Sequence, residues 1–259
     1  MKSRYYKVFG SDDRTLILAL DHGGAGKIWL DPGYAIAASV EGGVDAVLTN
    51  YGVIKKFRRE IGRAGTILRG EVFGTAKSEG NLFLDYGCEI PYTVEDAVRV
   101  GADAVMTMGL TGTRFDAHNM QNIARVSAQC DRYGLLCGAE MLYKTAKSAS
   151  EYDAETLNTI CRAAAEIGAD FVKGTFIDPD GFRKVVSNCY VPMVVLGGSK
   201  VDNDRQVLEQ AAAALDCGAK GIAIGRNLWG HKNIAGMAAA LRRIVHENAT
   251  VDEALRELG

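Results

Sequence analysis

Lys173 stands inside an apolar, strand-like run, Ala169-Asp-Phe-Val-Lys173-Gly-Thr175. A lysine on the buried face of a strand is costly unless it is paired or neutral. Burial disfavours an ammonium, and a neutral amine attacks a carbonyl to form a Schiff base. The plainer reading is a side chain whose head reaches the rim and binds a carboxylate or phosphate. Position alone leaves both open.

Other reactive groups also follow apolar runs. Asp21 and His22 close the first of them. A carboxylate at Asp21 can orient a proton transfer or hold a carbinolamine hydroxyl, or it can cap the following turn. His22 is a candidate base or substrate contact, with packing as the alternative. Glu140 and Tyr143 end the fifth run. A phenol beside an iminium can pass a proton, and Glu140 can orient either Tyr143 or Lys173. Tyr143 as a packing residue is the competing reading. Two glycine-rich turns, Leu196-Gly-Gly-Ser-Lys200 and Ile224-Gly-Arg-Asn227, end the last two runs. Their backbone N–H groups, with Arg226 adding charge, suit a phosphate of a sugar or a flavin. The candidate ligands are Gly197, Gly198, Ser199, Gly225 and Arg226; otherwise the glycines only make tight turns. His118, His231 and His246 fall on helix-period segments and read as surface or packing residues. There is no H-x-H, H-x₃-H or cysteine pair, so neither a metal nor a cofactor is expected.

These groups need a scaffold, and the chain repeats itself. Gly43-Val-Asp45-Ala-Val47 recurs as Gly101-Ala-Asp103-Ala-Val105 and as Gly168-Ala-Asp170-Phe-Val172, then loosely as Gly218-Ala-Lys220-Gly-Ile222, at spacings of 58, 67 and 50 residues. Each copy reads as a helix stopped by glycine and followed at once by a strand. Four more apolar runs interleave. The result is eight expected strands at 15–21, 45–50, 66–72, 103–109, 135–141, 170–175, 193–198 and 221–226. Helices are expected at 117–133, 155–167 and 204–217. Short, continuously apolar strands suit a parallel sheet buried on both faces. Eight alternations in 259 residues predict an α/β fold, a (β/α)₈ TIM barrel, as one domain over 1–259. A doubly wound sheet fits less well because no G-x-G-x-x-G follows the first strand. The aperiodic stretch 73–92 is a candidate loop over the barrel mouth.

Composition narrows the classes. At 47% hydrophobic and 24% charged, the chain has ample material for a core and is not a disordered one. The net charge of -2, without a basic stretch, argues against nucleic acid as a partner. The absence of an 18-residue apolar run argues against a membrane partner, and the N-terminus lacks a secretory apolar region. Six cysteines without paired spacing point to a reducing, cytoplasmic setting.

The motifs Leu18-Ala-Leu-Asp-His-Gly23, Gly168-Ala-Asp-Phe-Val-Lys173, Val195-Leu-Gly-Gly-Ser-Lys200 and Gly218-Ala-Lys-Gly-Ile-Ala-Ile-Gly-Arg-Asn227 occur in this order over nearly the whole chain. In this the sequence resembles archaeal-type class I fructose-bisphosphate aldolases and their relatives, the amino-dideoxyheptulosonate synthases and phospho-autoinducer thiolases. The resemblance implies Lys173 as Schiff-base lysine and Asp21 as its assistant at the imine carbon. It also implies Tyr143 as proton carrier and Gly197, Gly198, Gly225 and Arg226 as the phosphate site. A small sugar phosphate is the implied partner, and a homo-oligomer, often a decamer, the implied assembly.

The chain departs from the aldolases in three places. Lys144-Thr145-Ala146 stands where they usually have Pro-Arg-Gly after the tyrosine. The strand-1 loop reads Gly23-Gly24-Ala25-Gly26. Leu68-Arg69-Gly70-Glu71 replaces a Leu-x-Gly-Lys string, and a glutamate there would repel a second phosphate.

The leading expectation is a class I aldolase of a phosphorylated ketose, with fructose 1,6-bisphosphate as default on family grounds and glycolysis or gluconeogenesis as its setting. A transaldolase-like synthase or a thiolase is the rival within the same chemistry, and Tyr143 speaks against the thiolase. A flavin- or phosphate-binding barrel without imine chemistry, and a non-catalytic barrel, are rivals from other classes.

Overall fold

The echoed Gly-x-Asp strings turn out to be a structural device. In the computed structural model, which describes residues 2–21, 30–72, 87–144, 152–198 and 200–259, all four echoed glycines have positive φ, from 75° at Gly101 to 106° at Gly168. Glycine tolerates that left-handed conformation, and each helix stops there. In three copies the aspartate then joins an odd strand to the following even one. Asp45, Asp103 and Asp170 accept the N–H of Leu16, Thr66 and Cys137 at 2.7, 3.0 and 2.7 Å. Their own N–H groups donate to the carbonyls of the same three residues. Lys220, in the fourth copy, keeps only the backbone half, donating to Met193.

The strands so joined are β1 (Thr15–Leu20), β2 (Ala46–Thr49), β3 (Gly65–Arg69), β4 (Ala104–Thr111), β5 (Leu136–Tyr143), β6 (Phe171–Gly174), β7 (Met193–Leu196) and β8 (Gly221–Ile224). All neighbours are parallel, and β8 returns to β1 to close the barrel. Closure excludes the doubly wound alternative. All eight expected strands are present. The ends shift: β4 and β5 run two residues further than their sequence patterns suggest, β3 stops three residues short, and β7 and β8 two short.

Twelve helices lie among the described residues: α1 (Tyr5–Val8), α2 (Pro32–Glu41), α3 (Tyr51–Lys56), α4 (Arg58–Ile61), α5 (Val94–Arg99), α6 (Asp116–Tyr133), α7 (Ala154–Glu166), α8 (Pro179–Asn188), α9 (Asp204–Asp216), α10 (Arg226–Trp229), α11 (Ile234–Glu247) and α12 (Val251–Leu255). Their starts are written in the sequence. Asp31 and Asp178 each precede a proline at the first helical position and accept an N–H from Gly33 and Gly181. Thr93 with Asp96 and Thr250 with Glu253 form reciprocal capping boxes.

Strand alternation sorts side chains into two cores. The outward set, including Leu16, Leu18, Val47, Met141, Val172, Val195 and Ile222, packs against the helices. The inward set includes Ile17, Ala19, Leu48, Ile67, Met106, Leu136, Phe171 and Val194. Large and small residues complement each other within it. A Cβ on Gly138 would fall 2.5 Å from the Phe171 ring, so glycine makes room for that side chain.

The amino-terminal segment seals the floor beneath. Phe9 packs edge-on against Phe171, with ring centroids 5.6 Å apart, and Tyr5 stacks on Phe9. The echoed aspartates hold this plug by charge. Lys2 reaches Asp170 at 2.6 Å and Arg4 reaches Asp103 at 3.7 Å, while His246 of α11 reaches Asp45 at 2.8 Å.

Candidate active site

Following the inward face of each strand toward its carboxyl end, the apolar layers give way to charge. Asp21 is in phase with Ile17 and Ala19, Arg69 and Glu71 with Ile67, Glu140 with Leu136, and Lys173 with Phe171. All five charged residues are buried. Lys173 and Glu140 are register partners on β5 and β6, and Lys173 Nζ lies 3.2 Å from Glu140 Oε1.

Arg69 organises the rest. Its Nε and Nη2 donate to Asp21 Oδ2 at 2.8 and 2.5 Å, and Nη2 also donates to Glu140 Oε2. Nη1 approaches Glu71 Oε2 at 3.5 Å. A guanidinium can do this because its planar fork presents five donors, whereas an ammonium is a point charge. The sequence reading placed Arg69 at a strand end but assigned it no role. The missed signal was phase: an arginine two residues after an inward-facing Ile67 must also face inward.

The two glutamates shift in opposite directions. Burial alone would raise the Glu140 carboxyl, but Lys173 and Arg69 outweigh it and hold the group below its ordinary value. Glu71 goes the other way. Burial raises its carboxyl despite Arg69 and the Met108 N–H, which donates to Oε1 at 2.6 Å. Among the described residues of the cluster, Glu71 is the carboxyl whose charged form burial leaves disfavoured. The sequence reading set Glu71 to repel a second phosphate, and the structure places it inside the buried cluster. Its carboxyl is 1% exposed and tied to Arg69 and the β4 backbone.

The other expected site residues divide. Asp21, Glu140 and Lys173 converge, as the sequence suggested. Tyr143 does not join them. It follows Glu140 by three residues, an odd step, so the pleat turns it to the opposite face of β5. Its ring lies against Gly112, where a Cβ would sit 2.6 Å from Cε2. The sequence reading took proximity in number for proximity in space; Leu142 is the residue in phase with Glu140. His22 and Ser199 lie outside the described residues, as do positions 73–86 of the candidate loop. Within its described part, 87–92, Cys88 is buried and bonded to Asn119 Oδ1 and Asn122 Nδ2 at 3.0 and 2.8 Å. Of the histidines, His118 and His246 lie on α6 and α11, whereas His231 falls in the turn between α10 and α11.

The glycine-rich turns after β7 and β8 adjoin. Gly198 has φ of 66°, and Arg226 Nη2 donates to its carbonyl at 3.2 Å. Asn227 pins both sides of the β7 turn, donating to the Gly197 carbonyl and accepting the Val201 N–H, each at 2.9 Å. A Cβ on Gly225 would lie 3.0 Å from the Ala19 carbonyl and 3.4 Å from Trp229 Nε1. That indole nitrogen is buried and, among the described residues, finds no acceptor.

The closed parallel barrel that holds this buried lysine is a fold other proteins share. The family described as DeoC/LacD family aldolase matches residues 15–231. The chain belongs to the DeoC/LacD aldolase family. Among its relatives, the 2-amino-3,7-dideoxy-D-threo-hept-6-ulosonate synthase of Halobacterium salinarum is 33% identical over 96% of this chain and 93% of its own. The 3-hydroxy-5-phosphonooxypentane-2,4-dione thiolase of Klebsiella pneumoniae is 30% identical over 98% and 84%. A solved Schiff-base-forming fructose-1,6-bisphosphate aldolase superposes with a TM-score of 0.82 at 27% identity, covering 94% of this chain and 98% of that one. An archaeal fructose-1,6-bisphosphate aldolase, solved with its catalytic lysine covalently bound to a carbinolamine intermediate, superposes equally well at 26% identity over 93% and 98%. The barrel is thus a class I aldolase-type TIM barrel, and the chain is an enzyme of an aldolase family.

Proposed function

We propose that this enzyme cleaves or condenses a phosphorylated ketose through a Schiff base on Lys173. The observation that carries the reading is the Lys173–Glu140 pair, an amine buried in the barrel beside a carboxylate at 3.2 Å. Glu140 can take the proton that the ammonium must lose before Nζ attacks the ketone carbon. It can then return a proton to the departing carbinolamine hydroxyl, with Asp21 held in reserve by Arg69. The iminium is the electron sink. Loss of the proton from the C4 hydroxyl breaks C3–C4 and leaves an enamine, which is reprotonated and hydrolysed to release the ketone product.

For fructose 1,6-bisphosphate, the default substrate, the products are dihydroxyacetone phosphate and glyceraldehyde 3-phosphate. The turns at Gly197–Gly198 and Gly225–Arg226 are suited to the ketone-side phosphate, with the Trp229 indole N–H as an added donor. Ser199 and His22 belong to the same proposal. So do a single domain, a cytoplasmic setting and a homo-oligomer, the last tested by light scattering.

A second reading keeps the imine and changes the partner substrate. Tyr143 was the argument against a thiolase, and its orientation removes that argument. The relatives that are a synthase and a thiolase support testing both. Borohydride reduction with dihydroxyacetone phosphate, read by peptide mass, should place the adduct on Lys173, and Lys173→Met should abolish both adduct and turnover. An unlabelled wild-type protein beside a labelled control aldolase would remove the mechanism.

A further inference from the structure

We propose that the aldehyde half of the substrate is an uncharged aldehyde with an aliphatic chain, selected by an apolar shelf of Leu110 and Leu142 one rung above the Lys173–Glu140 pair. This rests on the imine reading above and, of its two substrate readings, deepens the second. The pair belongs to a longer rung, with Met108 on β4, Glu140 on β5 and Lys173 on β6. Two residues nearer the mouth, Leu110 and Leu142 are register partners. Alternation turns them into the barrel, since Met108 and Leu110 are in phase with inward Met106, and Leu142 with Glu140. Gly109, between them, faces the other way, where an added Cβ would lie 3.0 Å from Ile123 of the outward core. Buried Cys88, Met108 and Leu110 form a cluster of their own, against which the partly buried Leu142 packs. Burial, and then the charge of Glu71, push the Cys88 thiol up to about 12, so it remains a neutral, apolar cover.

The order of the strands gives the substrate its direction. The glycine turns suited to the ketone-side phosphate follow β7 and β8, on one side of Lys173 in β6; β5 and β4 lie on the other. A ketone carbon held at Nζ carries its phosphate arm on one side and C3–C4 on the other. With the phosphate arm toward β7 and β8, the C3–C4 arm leaves Lys173 toward β5 and β4, where the leucine rung stands. An aliphatic chain gains there by burying its carbon against Leu110 and Leu142. A phosphate would give up its water for leucine side chains, which offer no hydrogen bond in return. Below the shelf, Arg69 is already engaged by the carboxylates of Asp21, Glu71 and Glu140.

The test is condensation of dihydroxyacetone phosphate with acetaldehyde, butanal or glyceraldehyde 3-phosphate, read as kcat/KM for the aldehyde, beside borohydride trapping of the ketone on Lys173. One methylene in a hydrophobic pocket is worth about 10- to 200-fold in such a comparison, so butanal should exceed acetaldehyde by about tenfold or more. It should exceed glyceraldehyde 3-phosphate as well. Leu142→Ala should erase most of the gain from acetaldehyde to butanal, and Leu142→Arg should turn the preference toward glyceraldehyde 3-phosphate. A leucine with only a structural role would lower all the aldehydes together and leave their ratios unchanged. A wild-type preference for glyceraldehyde 3-phosphate would overturn the proposal, as would an unchanged butanal-to-acetaldehyde ratio in Leu142→Ala. A wild type that traps the ketone but condenses it with none of these aldehydes would also overturn it. Failure of the wild type to trap would instead defeat the imine reading, and this proposal with it.

Discussion

Arg69 is the residue on which the buried charges depend. It has no aqueous outlet, and it touches carboxylates from β1, β5 and its own strand's end. Removing one partner from a buried ionic cluster typically costs about 3–5 kcal/mol, because the remaining charges lose their compensation. Arg69→Met should therefore unfold at lower denaturant by that order. Arg69→Lys is the sharper variant. It keeps the charge but cannot bridge Asp21, Glu71 and Glu140 with one planar group. It should fold, and its rate of Lys173 trapping should fall at least tenfold; trapping at the wild-type rate would show that Arg69 only balances charge. The sequence made Lys173, Asp21 and Glu140 legible because each is a charged residue ending an apolar run. It hid Arg69 and misdirected Tyr143 for one reason: facing is set by odd and even steps along a strand, and no composition signal reports those steps.

At the scale of elements, glycine-stopped helices and short apolar runs revealed all eight strands, because both signals are local. What they did not reveal is how closely elements approach. The clearest case is Gly65 at the start of β3, where an added Cβ would lie 1.9 Å from the Lys7 carbonyl. Backbone cannot yield as a flexible side chain does, so Gly65→Ala must push α1 off the floor. Overpacking of this kind costs about 1–3 kcal/mol, and a urea midpoint should fall accordingly. Gly52 on α3 is the control, since nothing lies within 4 Å of its added Cβ. Gly52→Ala should be neutral or gain about 0.5–1 kcal/mol from helix propensity. Equal losses at the two positions would mean that crowding at the floor is not what selects Gly65.

Taken whole, the molecule gathers its buried charges at one end of the barrel and is tied together at the other. The tie most open to test is His246, whose Nδ1 meets Asp12 at 2.9 Å and whose Nε2 meets Asp45 at 2.8 Å. Burial pulls the imidazole down, yet the two carboxylates prevail and leave it above its ordinary value. A raised value in the folded state stabilises fully below the unfolded pKa, near about 6.5, and fades as pH rises through the folded one. Asp12 is opposed by its own burial but lowered by His246 and the Arg14 N–H, so its share is lost only in stronger acid. Thermal midpoints should therefore decline as pH rises past neutrality, and His246→Gln should flatten that decline; an unchanged slope would assign it to other groups. The plug has a further consequence, which concerns birth rather than the finished fold. Lys2 is separated from Asp170 by 168 residues of chain. On a ribosome Tyr5 and Phe9 must wait, bare, until those 168 further residues have emerged and β6 has taken its place. The floor is written long before it can be laid, so a nascent chain stalled before Asp170 should be the species that chaperones hold and proteases cut around Tyr5 and Phe9.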